Sequence, residues 1–178
     1  MTTTATRQTV PTGIWKADPV HSSVGFAVRH MGVATFKGGF DEFTASLDEG
    51  TLSGSAKVAS VRVQDPNLSG HLLSPDFFDA ERYPEIRFEP SELSIEDGEL
   101  VADGELELKG VRKPVRLHGT ITAPLQDPYG NERVGITLTT TVDRTHFGVD
   151  WNAELPTGGQ VVENEVTLTA ELELVKEA

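Results

Sequence analysis

Apolar residues recur at every second position along most of this chain, the period of a half-buried β-strand. His21–His30 places Val24, Phe26 and Val28 on one face, and Ile136, Leu138, Thr140 and Val142 share a face further on. Val166, Leu168, Ala170, Leu172 and Leu174 alternate with Glu and Thr in the last strand. The same alternation runs through Thr35–Phe40, Phe43–Leu47, Leu52–Val58, Ile86–Phe88, Ala102–Leu108 and Val115–Ile121. Gly38-Gly39 and the phase change between Phe40 and Phe43 predict bulges or bends, and Val61 and Val63 predict another. Asp48-Glu49-Gly50, Glu96-Asp97-Gly98, Gly110–Pro114 and Asp127–Asn131 carry the turn residues of strand connections. The pattern gives about eight to ten strands at hairpin spacing, suited to antiparallel pairing.

One stretch departs from it. Ser69–Phe88 predicts a short helical segment over about 69–83, with Ser74 as N-cap, Pro75 at the first helical position and Asp76 on the positive end of the dipole. Asp79 opens a second turn, and Tyr83-Pro84 closes it. Leu72, Leu73, Phe77 and Phe78 thus ride on helical turns between two β regions, as a lid would. The inward face at Gly54 and Ala56 is small and leaves space inside a closed sheet. Eight strands close around an interior wide enough for one slender ligand. The expected fold is therefore all-β, an eight-stranded antiparallel barrel with the helical segment near its opening. A β-sandwich with a filled core has the same periodicity.

Composition narrows the choice of partner. In 178 residues, 28 Asp+Glu outweigh 15 Lys+Arg, a formal net charge of −13, which argues against nucleic-acid and anionic-membrane partners. The length suits one domain, expected over 13–178 behind a disordered polar tail at 1–12. With no cysteine there is no disulfide, thiol nucleophile or thiolate metal site. The polar start lacks the apolar core of a secretion signal and no run is long enough to span a membrane, so a cytoplasmic protein without membrane insertion is expected.

The five histidines, His21, His30, His71, His118 and His146, show no metal-type spacing, and no phosphate loop, nucleophile elbow or paired-carboxylate motif is present. Neither a catalytic set, a metal nor a cofactor is therefore assigned. The apolar residues carry more. Val24, Phe26, Val28, Phe36, Phe88, Ile136, Leu138, Phe147 and Trp151, with lid residues Leu72, Leu73, Phe77 and Phe78, are candidate walls of a lipophilic pocket. Arg29, His30, Arg144 and His146 fall at strand ends, where they could hold a polar head at the rim.

Five blocks in order carry a family likeness: Asp18–Val33 (DPVHSSVGFAVRHMGV), His71–Pro84 (HLLSPDFFDAERYP), Lys109–Val115 (KGVRKPV), Asp127–Arg133 (DPYGNER) and Thr139–Gly148 (TTTVDRTHFG). Together they resemble the YceI-like family of lipocalin-like polyisoprenoid-binding proteins, over Ile14 to Val175. The resemblance implies a lipocalin-like barrel extended relative to lipocalins and a long hydrophobic ligand such as an isoprenoid, an isoprenoid quinone or a fatty-acid derivative. It also implies that a homodimer is possible. Ser69-Gly70 and Leu73 stand where relatives often carry charge, and His146 where many have an acid, which makes this lid less polar. The expected function is non-catalytic binding, carriage or storage of such a ligand. The alternatives are an isomerase or hydrolase acting on a lipophilic substrate in the same cavity, or a filled barrel serving as an interaction module.

Overall fold

The computed structural model describes residues 8–178, and β-structure dominates it. In chain order the strands are β1 (Ile14–Ala17), β2 (Ser23–His30), β3 (Ala34–Phe40), β4 (Phe43–Asp48), β5 (Thr51–Lys57) and β6 (Val61–Arg62), then β7 (Glu85–Glu96), β8 (Glu99–Leu108), β9 (Val111–Ile121), β10 (Leu125–Gln126), β11 (Glu132–Asp143) and β12 (Val162–Lys176). One helix, α1 (Pro66–Leu73), lies between β6 and β7, and 3₁₀ turns occupy Val58–Ser60 and Arg144–Phe147.

The sheet closes on itself through β1, β4, β5, β7, β8, β9, β11 and β12, an eight-membered antiparallel ring, and the sandwich alternative falls away. Closure leaves the ring no free edge. β1 pairs with Leu174–Lys176 of β12 and β2 with Val162–Glu171, so β1 and β2 form two lengths of one stave. β3 and β4 form the next stave in the same way. The expected bulge at Asp41-Glu42 is the corner between them, and Gly38-Gly39 sits in regular register with Phe26 and Gly25. Gly38 is needed for a different reason: a β-carbon there would lie 2.4 Å from the Phe26 ring.

Tight turns fix the register. Glu49-Gly50, Asp97-Gly98 and Lys109-Gly110 all have positive φ, the geometry whose twist matches the strands of a two-residue hairpin. The expected connection at Gly110–Pro114 is therefore shorter: β9 begins at Val111, and Pro114 sits within it opposite Glu105.

The helix also differs from expectation. Asp65, not Ser74, is the N-cap: its carboxylate accepts from the Asn67 N–H at 2.7 Å, and Pro66 follows at the first helical position. Ser74 ends the helix, because a residue before proline is pushed out of the α region; its ψ is 167° and its hydroxyl donates to the His71 carbonyl at 2.6 Å. The chain then winds through non-helical turns, with Phe77 and Asp79 N–H groups both donating to the Ser74 carbonyl. Of the tail expected at 1–12, residues 1–7 lie outside the described residues, and Val10 packs against the core.

The interior has two parts. At one end Trp15, Leu47, Leu52, Leu93, Leu100, Ile121, Val134, Ile136, Leu138, Leu172 and Leu174 form a solid cluster. Toward the other end Phe40, Ala56, Val61, Leu72, Phe77, Leu106, Leu108, Phe147 and Val149 form a second. Among the described residues no helix is long and apolar enough to cross a membrane.

Candidate functional site: an apolar cavity with a cationic border

A cavity of about 660 Å³ occupies the barrel above the solid cluster. Strand register fixes its depth. Val24, Phe40, Leu138 and Ala170 make one rung near the floor; Phe26, Gly38, Thr140 and Leu168 make the next; Val28, Phe36, Val142 and Val166 lie above. Small residues open the facing wall, with Ala45 opposite Gly54 and Ala56 beyond them on β5. The exposed His30, Ala34 and Thr35 also border the cavity, so it reaches the surface at the β2–β3 hairpin.

The segment after α1 completes the wall beside β2 and β3. Phe78 packs edge-on to Phe26 and Phe40, with ring centroids 6.2 and 5.8 Å away. Phe77 lies against His71 and Trp151, at 4.9 and 5.4 Å. Lys109, in the β8–β9 turn, clips this segment to the end of the Arg144–Phe147 turn: its Nζ donates to the Pro75 carbonyl at 2.7 Å and to the Gly148 carbonyl at 3.1 Å.

Of the residues singled out from sequence, Val24, Phe26, Val28, Arg29, His30, Phe36, Leu72, Phe77, Phe78, Phe88, Leu138, Arg144 and Trp151 line the cavity. Four do not. Ile136 lies in the solid cluster one rung deeper than Leu138. Leu73 and Phe147 pack in the second cluster, behind the lining. His146 is exposed and points its Nε2 toward Asp143 at 3.7 Å. The sequence reading missed Thr140, an inward-facing hydroxyl in an otherwise apolar row that is 8% exposed. The period-2 pattern had placed it on the correct face.

Arg144 does not sit on the rim as a free headgroup ligand. It is 5% exposed, and its Nε donates to Glu163 O at 2.9 Å, Nη1 to Val149 O and Trp151 O at 2.8 and 2.9 Å, and Nη2 to Val162 O at 3.2 Å. Its guanidinium thus ties the loop after β11 to the start of β12. Burial pushes its pKa down, against the fields of Asp143 and Asp150. Beside it the Thr145 hydroxyl and N–H hold the Asp143 carboxyl below its ordinary value.

A second polar cluster lies away from the cavity. Arg133 joins Asp18 at 3.0 Å, Asp127 at 2.7 Å and Glu173 at 2.7 Å. Its guanidinium and the Asn131 amide hold Asp127 well below the usual carboxylate range; His21, then Arg133, do the same for Asp18. Asp18, His21 and Glu173 could offer ligand atoms to a cation. The guanidinium already shared by both carboxylates supplies that charge, so the cluster reads as a clasp between β11, β12 and the β1–β2 turn.

The comparisons with known proteins agree with this geometry. A UPF0312 protein of Staphylococcus aureus is 29% identical over 167 residues, 88% of this chain and 94% of the relative. The crystal structure of BcnA from Burkholderia cenocepacia superposes with a TM-score of 0.71 at 22% identity, covering 90% of this chain and 99% of that one. A polyisoprenoid-binding domain from Saccharophagus degradans shares the fold at 13% identity, with a TM-score of 0.65 over 92% of this chain and 98% of that domain. The family model for the YceI-like domain matches residues 15–174, and the chain belongs to that family.

Proposed function

We propose that this protein is a non-catalytic carrier or store for one elongated lipophilic molecule, an isoprenoid, a quinone with an isoprenoid tail or a fatty-acid derivative. The observation that carries the reading is the cavity of about 660 Å³ walled by Phe, Val, Leu and Ala side chains. At roughly 30 Å³ for each atom-sized unit of a liquid, it takes about twenty carbon atoms. Each buried methylene contributes about 0.8 kcal/mol, so ten inserted carbons supply about 8 kcal/mol before ordering costs. The Saccharophagus degradans domain of the same fold is described as polyisoprenoid-binding, which supports the same class of ligand. Binding without turnover is supported by how the polar groups near the cavity are engaged. Arg144 is spent on backbone carbonyls, and the His71 ring is held by Asp76 at 3.0 Å and by two aromatic faces.

Organic extraction of the purified protein, followed by mass spectrometry, tests the proposal, together with titration by a fluorescent polyene lipid. A stoichiometric hydrophobic molecule in the extract, or saturable polyene binding, is the expected result. Neither appearing overturns it.

A further inference from the structure

Among the described residues the buried polar side chains are Asp79, Ser91, Thr140 and Arg144. All but one have a partner. Arg144 donates to backbone carbonyls, Ser91 donates to the Asp103 carbonyl, and the Asp79 carboxylate lies 3.9 Å from Arg82 Nε. The Thr140 hydroxyl, in a residue 8% exposed, has no hydrogen-bond partner among the described residues. The other hydroxyls that border the cavity do have one. Thr35 accepts from Arg29, Thr44 bonds Ser55, Ser53 bonds Ser46, and Thr169 bonds Thr139.

Thr140 stands on the inward face of β11 between Leu138 and Val142, on the rung of Leu168, Phe26 and Gly38. Among the described residues no fully enclosed side-chain oxygen lacks a partner, so this hydroxyl borders open space, and on this face of β11 that space is the cavity. Its depth follows from the register. Ile136 does not reach the cavity, so the floor lies at Leu138, two residues or about 7 Å of strand below Thr140. His30 at the mouth lies four residues along β2 from Phe26, about 13 Å of strand above. No other side chain of the rung is polar. A water molecule there would lack the several polar partners that hold one in an interior, and a carboxylate or phosphate would meet a single donor in place of its hydration shell. An uncharged oxygen needs only the one bond that the hydroxyl can make.

We infer that Thr140 is a specificity-determining residue of the cavity, whose hydroxyl bonds an uncharged oxygen, a carbonyl or a hydroxyl, carried by the ligand a few carbons from its buried end. The ligand therefore enters with that end foremost. A plain hydrocarbon end in the same place leaves the buried hydroxyl unsatisfied, and that penalty is what discriminates. The inference rests on the carrier reading and adds to it the position of one polar atom in the guest.

The test uses hexadecanones and hexadecanols whose oxygen is moved stepwise from near the chain end to its middle, with hexadecane as reference, each competing with a bound fluorescent polyene lipid. The isomers of each set share one composition, so the comparison reads position alone. In the wild type, isomers with the oxygen a few carbons from the end should bind about tenfold tighter than the mid-chain isomers. T140V, which keeps nearly the same shape, should abolish that preference, and T140S should keep it. Undiminished binding of hexadecane by T140V shows that the variant is folded with its cavity intact. A larger preference in the ketones identifies a carbonyl as the natural partner, and a larger one in the alcohols a hydroxyl. No positional preference in the wild type, or the same preference in T140V, overturns the inference and leaves the carrier function standing. Failure of hexadecane and every isomer to bind the wild type overturns both.

Discussion

Ala45 sits at the floor of the cavity, facing Gly54 across the β4–β5 pair and touching the solid cluster below. Replacing it with phenylalanine adds about six carbon atoms to the floor. At roughly 30 Å³ each these take about 180 Å³, more than a quarter of the 660 Å³ present. A straight-chain ligand should then lose room for about six methylenes, and each buried methylene is worth about 0.8 kcal/mol, or about fourfold in affinity. The assay is a chain-length series of saturated alcohols competing with a bound fluorescent polyene, which keeps the head constant and uncharged. In the wild type, affinity should climb about fourfold per carbon and level off near about twenty carbons; in A45F the climb should be equally steep but end about six carbons sooner. The ligand-free melting temperature should hold or rise, because the new ring enters empty space. A plateau at the same length in both proteins would refute the claim that this cavity is the chain-binding site.

Phe77 and Phe78 separate wall from core. Phe77 is 8% exposed, so F77A should cost about 3 kcal/mol in denaturant unfolding, whereas half-buried Phe78 should cost about half that and still speed ligand release. Unchanged ligand release in F78A would make the residue ordinary packing. The Arg133 clasp predicts an acid-labile seam. Asp18 and Asp127 have depressed values in the folded state, so their contribution is present above the ordinary carboxylate value of about 4 and is lost as pH falls below it. His21 is shifted upward by Asp18, so its smaller contribution is present below about 6.5 and fades as pH rises past its folded value. R133M should therefore flatten the fall in melting temperature between about pH 4 and pH 2; an unchanged acid slope would assign that fall to other carboxylates.

What the chain discloses locally and what it withholds differ by range. Strand faces were legible because alternation is a nearest-neighbour property, and Glu49-Gly50 and Asp97-Gly98 announce their hairpins in two residues. Depth along a strand was not. Ile136 and Leu138 share a face and both belong to the solid cluster, yet only Leu138 also reaches the cavity, a difference set by which residues lie across the barrel. The helix start was misplaced because Asp65-Pro66 and Ser74-Pro75 are both cap-and-proline pairs, and only the packing of Leu72 against the second cluster selects the first. Arg144 looked like a rim cation because its partners are carbonyls of Val149, Trp151, Val162 and Glu163, which carry no side-chain signature.

The division of the interior into a solid end and a hollow end has a consequence for how such a molecule can change. A keel of Trp15, Leu47, Leu100 and Leu174, each at most 1% exposed, holds the shape, and the hold above it carries the cargo. A side chain altered in the keel leaves a void that nothing fills, whereas one altered in the hold merely re-cuts the space left for a guest. The vessel can therefore be refitted for a longer, shorter or bulkier passenger without being rebuilt, and the same hull can serve many different cargoes.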